Sequence, residues 1–133
     1  MTARELIGHY VAAAQRGDWD TAFGYFADDI VIHVPGRSAF AGDRQGRDAA
    51  VGYIQAIRDH YRPGEIDLEL IDVLSSDERV ALLVRERFRG VGPEVEIRRA
   101  NVYRVENDEI VEISIFEGDQ YAVDELLQRL EPR

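Results

Sequence analysis

The spacing of apolar residues passes from a mainly helical period to a two-fold one near Pro63-Gly64, and that change limits the possible folds more than any other feature. Before it, Leu6, Ile7, Tyr10, Val11 and Ala14 recur at helical spacing between Arg4 and Arg16, and Gly17 supplies a stop. Asp18 can cap a second short helix whose Trp19, Ala22, Phe23 and Phe26 form another stripe. Ala27-Asp28-Asp29 breaks that helix, Ile30 to Val34 reads as a short buried strand halted by Pro35-Gly36, and Arg37 to Gly46 reads as a loop or ragged hairpin. A third helix is predicted from about Arg47 to Tyr61, burying Ala50, Val51, Ile54, Ile57 and Tyr61. After Gly64 the period becomes two. Strand-like runs at Ile66 to Leu74, Arg79 to Arg89, Glu94 to Val105 and Glu109 to Glu117 are joined by short polar or glycine-containing turns, which predicts an antiparallel meander. Gly118-Asp119 then opens a last helix with Val123, Leu126, Leu127 and Leu130 on one face, and Asp119 is placed to cap it. The expectation is an α+β protein, one domain over residues 1–133, with helices packed on a curved antiparallel sheet around a pocket.

Composition removes several kinds of function. A formal charge of -10 opposes a nucleic-acid backbone, so no nucleic-acid partner is expected. Without cysteine there is no disulfide, thiolate nucleophile or sulfur-rich metal site. All 16 basic residues are arginine, which excludes Schiff-base chemistry and a lysine-held pyridoxal group. His9, His33 and His60 do not stand at ligand spacing, so neither a metal nor another cofactor is expected. No apolar run approaches the roughly 20 residues of a membrane span, and the opening residues lack a secretory pattern, so the expected location is cytoplasmic without membrane association.

Polar residues that fall in the apolar phase of a strand must be paired or must face a pocket. In the third long run Arg99 and Asn101 share the phase of Val95, Ile97, Tyr103 and Val105. In the second, Glu86 shares the phase of Val80, Leu82, Val84 and Phe88, and in the last Glu117 shares that of Val111, Ile113 and Ile115. Each of these strands thus points a polar group inward. Arg99 paired with Glu86 or Glu117 is one explanation, and a small-ligand site, apolar with a few convergent polar groups, is the other.

Three local strings, Phe26-Ala27-Asp28-Asp29-Ile30-Val31, Val34-Pro35-Gly36 and Gly46-Arg47-Asp48-Ala49, together with the order of elements, resemble the nuclear transport factor 2-like superfamily. The resemblance is to its SnoaL-like polyketide cyclase and bacterial ketosteroid isomerase branches, and it covers nearly the whole chain. It implies a cone-shaped curved sheet whose mouth is closed by helices, in a homodimer joined through the outer sheet face. Tyr10 is similar in position to the isomerases' first-helix tyrosine, a donor to the enolate oxygen. Asn101 falls where those enzymes carry a protonated aspartic acid as second donor, and an amide donates without any pKa adjustment. Where they place the general base, before the proline of the first strand, this chain has Val34. A base or acid would then come from His33, Glu86, Glu117 or Asp119.

The expectation is therefore a cofactor-independent isomerase, cyclase or lyase acting on a small hydrophobic carbonyl or polyketide-like compound. Tyr10 and Asn101 would hold the oxyanion, and Glu117 or His33 would move the proton. Trp19, Phe23, Phe40, Tyr53, Ile113 and Ile115 would shape the substrate-binding wall, with Glu86 and Arg99 beside them. The alternatives are a non-catalytic binding or assembly module and an enzyme adding water like the superfamily's epoxide hydrolases, through an acid-arginine-acid relay.

Overall fold

The computed structural model describes residues 1–131. Helix α1 (Ala3–Gln15) starts where the Thr2 side chain accepts the Glu5 amide at 3.1 Å, and it turns off at Gly17, whose φ of 76° suits glycine. Of its predicted stripe Leu6, Ile7 and Tyr10 are buried, Val11 and Ala14 are half-buried, and Ala3 and Ala13 are buried in addition. Asp18 caps α2 (Trp19–Phe23), accepting from the Thr21 amide.

Helix α2 is shorter than the apolar stripe suggests, and Phe26 belongs to the first strand, β1 (Phe26–Val34). The cause is tertiary pairing. The Tyr25 carbonyl accepts the Ile110 amide at 2.7 Å and Phe26 pairs with Ile110, so a neighbouring strand claims residues whose local pattern favours helix. Within the segment expected to be a ragged loop, β2 (Gly42–Gln45) pairs with β1. Helix α3 (Arg47–Arg58) ends before Tyr61, and only Ala50 on it is fully buried.

The meander comprises β3 (Ile66–Ser75), β4 (Arg79–Phe88), β5 (Val95–Glu106) and β6 (Glu109–Glu117), followed by α4 (Gln120–Arg129), which Asp119 caps through the Ala122 amide. Its last hairpin turns at Asn107 and Asp108, both left-handed, as a tight two-residue connection requires. The sheet order is β2-β1-β6-β5-β4-β3, with β1 parallel to β6 and the other ladders antiparallel. The result is one curved sheet that does not close.

Three register shifts bend the ladders: between Leu70 and Asp72 in β3, between Arg104 and Val105 on the β5–β6 ladder, and between Phe26 and Val31 on the β1–β6 ladder. The second corrects the expected phase of β6: Ile110 instead of Val111 is buried, because Val111 is the extra residue of the bulge. Helices α1 and α2 pack on the inner sheet face around Phe26, Ile30, Val80 and Ile110. Helix α4 closes one end over Phe88 and Ile97. No helix among the described residues is long and apolar enough to cross a membrane.

Candidate ligand-binding site

Between the helices and the inner sheet face lies a cavity of about 650 Å³. Helix α1 contributes Tyr10, Val11 and Ala14, and Trp19 comes from α2. Helix α3 gives Tyr53, Ile54, Ile57 and Arg58, while the strands supply Leu82, Val84, Glu86, Arg99, Asn101, Tyr103, Ile113 and Ile115. Two-fold alternation explains the strand contribution. Register neighbours Leu82–Asn101–Ile115 and Val84–Arg99 lie side by side across β4, β5 and β6 and face the same way. The cavity is thus mostly apolar, with a few convergent polar groups, which is the usual form of a small-molecule site.

Two sets of polar groups stand out, and Gln15, Arg58 and Asp67 line the cavity outside them. Tyr10 and Tyr103 are both buried, with ring centroids 5.7 Å apart. Burial pushes the Tyr10 hydroxyl above the ordinary tyrosine range, against the pull of Arg58. Burial does the same to Tyr103, reinforced by Tyr10 and Glu86 and partly offset by the Arg99 charge and then the Asn101 amide. The Tyr53 hydroxyl is pushed up to about 12, again chiefly by burial. All three hydroxyls therefore stay protonated and able to donate. The Asn101 Oδ1 atom is buried without a hydrogen-bond partner among the described residues, an orphaned acceptor on a residue that lines the cavity.

The second set is a Glu-Arg-Glu chain. Arg99 donates from Nε and Nη2 to the two Glu117 oxygens, each at 2.9 Å, and from Nη1 to Glu86 Oε1 at 3.2 Å. Burial alone would lower Arg99, but Glu86 and Glu117 outweigh it and hold the guanidinium above its usual range. Burial pushes the Glu117 carboxyl up, and the Arg99 charge pulls against that. With its side chain 3% exposed and both oxygens taken, Glu117 stands behind Arg99 instead of lining the cavity. Glu86 does line it, and its second oxygen makes no hydrogen bond to a described residue.

The structure separates the other expected site residues. His33 lies on the outer face, because Ile32 and Val34 take the inner phase of β1. Its Nδ1 meets Asp43 Oδ1 at 2.7 Å and its Nε2 meets Glu112 Oε2 at 2.8 Å. A role for His33 in moving a substrate proton therefore has no geometric support. Val34 is buried at the end of β1 and offers no base, and Asp119 is occupied as a helix cap. Phe23 is packed between Trp19 and Phe26, with centroids 5.3 and 5.5 Å away, and Phe40 stands edge-on to Tyr53 at 6.5 Å. Neither Phe23 nor Phe40 lines the cavity. Trp19, Tyr53, Glu86, Arg99, Ile113 and Ile115 all do, as do Tyr10 and Asn101.

Tyr103 and Arg58 also line the cavity, although nothing in their local sequence marks them as site residues. Tyr103 shares the phase of Asn101 and read as an ordinary core aromatic, although a buried tyrosine always brings a hydroxyl to place. Arg58 follows Ile54 by one helical turn on the face that α3 turns inward. Among the described residues no His, Asp and Glu group is gathered in a way that would hold a metal ion.

The His33 clamp yields a pH prediction. The hydrogen bonds that the imidazolium donates to Asp43 and then Glu112 hold it above the ordinary histidine range, more than partial burial lowers it. With the folded value above the unfolded one, this contribution is complete below about pH 6.5 and fades as pH rises through the folded pKa. In urea titrations the stability gap between wild type and His33→Gln should be fullest below about pH 6.5 and shrink as pH rises above it. A flat or widening gap would contradict the assignment.

Comparison with known proteins gives consistent relatives. A family model described as SnoaL-like domain matches residues 7–113. Uncharacterized proteins of Mycobacterium tuberculosis and Mycobacterium bovis are 32% identical over 124 residues, covering 90% of this chain and 92% of theirs. Among solved structures, Bal32a from a soil-derived mobile gene cassette is 28% identical with a TM-score of 0.85, covering 94% of this chain and 95% of its own. TerC, co-crystallized with polyporic acid, shares the fold at 13% identity with a TM-score of 0.79, over 95% of this chain and 98% of its own.

Proposed function

Because this chain belongs to the SnoaL-like domain family, which includes isomerases and cyclases, we propose that it is a cofactor-independent enzyme acting on a small hydrophobic carbonyl or polyketide-like compound. The reaction would be an isomerisation, cyclisation or elimination that begins with loss of a proton beside the carbonyl. The observation that carries this reading is Glu86. It is a carboxylate with one free oxygen, in the same apolar cavity as the protonated hydroxyls of Tyr10 and Tyr103.

In this mechanism the substrate carbonyl accepts hydrogen bonds from the tyrosine hydroxyls, and Glu86 removes the α-proton. The negative charge that develops on oxygen meets donors already in place, so little reorganisation is needed. Arg99 positions Glu86, and Glu117 in turn fixes Arg99. A half-turn of the Asn101 amide would direct its NH2 group at the same oxygen. Trp19, Tyr53, Ile113 and Ile115 press the apolar body of the substrate into position. Co-crystallization of TerC with polyporic acid is in keeping with a small organic guest.

The test is protein-catalysed exchange of the α-protons of β-tetralone in heavy water, followed by proton NMR. Tyr10→Phe should slow exchange by about 10- to 10³-fold while changing ketone affinity little. Binding without any exchange by the wild type would instead favour a non-catalytic ligand-binding module.

The Glu86–Arg99–Glu117 chain favours a second reading, addition of water to an epoxide by a carboxylate relay. Incorporation of labelled oxygen into styrene oxide would select it. For assembly, we place a second copy on the outer sheet face. There Leu74, Leu83, Ala100, Val102 and Phe116 form an apolar area across four strands, with Phe116 59% exposed.

A further inference from the structure

We propose that the ligand of this cavity carries an anionic group, a carboxylate or an equivalent oxyanion, and that Arg58 stacked on Trp19 recognises it. The inference rests on reading the cavity as a ligand site, and adds to that reading the charge of the ligand.

Arg58 closes the last turn of α3, and its guanidinium carbon lies 4.3 Å from the centroid of the Trp19 ring. Stacking of this kind engages the flat face of the guanidinium and leaves the N–H groups at its edge free. Both residues line the cavity. Among the described residues Arg58 has no salt bridge and no hydrogen bond, its electrostatic neighbours being Glu86 and Tyr10.

A shortage of carboxylates does not explain this. The chain has 26 acidic residues for 16 arginines, and its other partly buried arginines are mostly matched to acids: Arg85 to Glu69, Arg104 to Glu112, Arg129 to Glu125. The contrast is sharpest inside the cavity, where Arg99 makes three hydrogen bonds to two carboxylates. One cavity guanidinium is neutralised and the other is left with donors to spare. Burial also pulls the Arg58 pKa below its ordinary range, so the group bears a desolvation cost that no protein anion offsets by direct contact.

The position suits an anion as well. Glu86, the negative group nearest in effect, is already engaged by Arg99, which limits its repulsion of a second carboxylate. An oxyanion at the edge of Arg58 would also share the cavity with the Tyr10 hydroxyl, a neutral donor. The cavity would then bind an amphipathic molecule by its charged end at the α2–α3 side and its apolar body along Ile54, Ile113 and Ile115.

Cinnamate and methyl cinnamate share one skeleton and differ in charge, so calorimetric titration of both isolates the contribution of Arg58. Wild type should bind cinnamate at least about tenfold more tightly than the ester. Arg58→Gln should abolish that preference by weakening cinnamate far more than the ester, with its circular dichroism spectrum verifying that the variant is folded. Arg58→Lys, which keeps the charge but loses the planar fork, should retain part of it. Equal binding of acid and ester by wild type, or a preference that survives in Arg58→Gln, overturns the inference while the cavity reading stands. Failure of both probes to bind would remove the cavity reading and this inference together.

Discussion

Glu86→Gln is expected to slow exchange of the β-tetralone α-protons by about 10² to 10⁴-fold, with ketone affinity kept within about twofold. The substitution keeps the size of the side chain and its capacity to accept from Arg99 Nη1, and it removes only the oxygen that has no hydrogen bond to a described residue. It therefore separates proton abstraction from packing. Glu117→Gln should cost less, since both Glu117 oxygens are occupied by Arg99 and the side chain lies outside the cavity wall. The reverse order of effects, measured by NMR exchange rates under identical conditions, would transfer the basic role to Glu117 and displace the proposed mechanism.

The largest stability effect should follow removal of Arg99. Its side chain is 14% exposed and its partners Glu86 and Glu117 are 13% and 3% exposed, so Arg99→Ala leaves two carboxylates facing each other in a poorly solvated interior. Loss of one partner from a buried ion network costs about 3–5 kcal/mol. Urea unfolding should show a loss of that order at neutral pH. In the variant nothing opposes the upward push of burial on Glu117, so its folded pKa stands further above the unfolded value. A group shifted in this direction stabilises the fold below its unfolded pKa, near 4.3, and loses that contribution as pH rises through the folded value. The deficit of Arg99→Ala should accordingly narrow on acidification. The triple substitution Arg99→Met, Glu86→Gln, Glu117→Leu should recover most of the loss, since apolar packing replaces buried charge at little cost. A deficit below about 1 kcal/mol for Arg99→Ala would show that water reaches these carboxylates.

Much of this arrangement is legible in the sequence because strands impose a period of two. Glu86, Arg99 and Asn101 share a parity with their apolar neighbours, and the structure turns all three into the cavity. Parity does not say which of two acids a guanidinium will grip more tightly. Glu117 and Glu86 both point inward, and only the register, which sets Arg99 opposite Glu117, engages both oxygens of one and leaves an oxygen of the other free. Parity also fails at a bulge, as at Val111, because an inserted residue shifts the phase without any mark in composition. Long-range pairing was the other hidden element. Phe26 carries a helical pattern and becomes a strand because β6 lies beside it, a neighbour more than eighty positions away along the chain. The helices were harder to read for site residues. An arginine such as Arg58, at the end of an apolar face, looks like a solvent-facing terminus until a tryptophan from another helix is found against it.

The wall of the cavity draws on residues from Tyr10 to Ile115, on three helices and five of the six strands, so no fragment of the chain holds the hollow by itself. Occupancy and global unfolding are consequently linked equilibria. A guest that fits stabilises the whole domain by an amount that grows with the logarithm of its concentration over its dissociation constant. Melting temperature then reports any bound molecule, whatever its chemistry, before a reaction has been assigned to it.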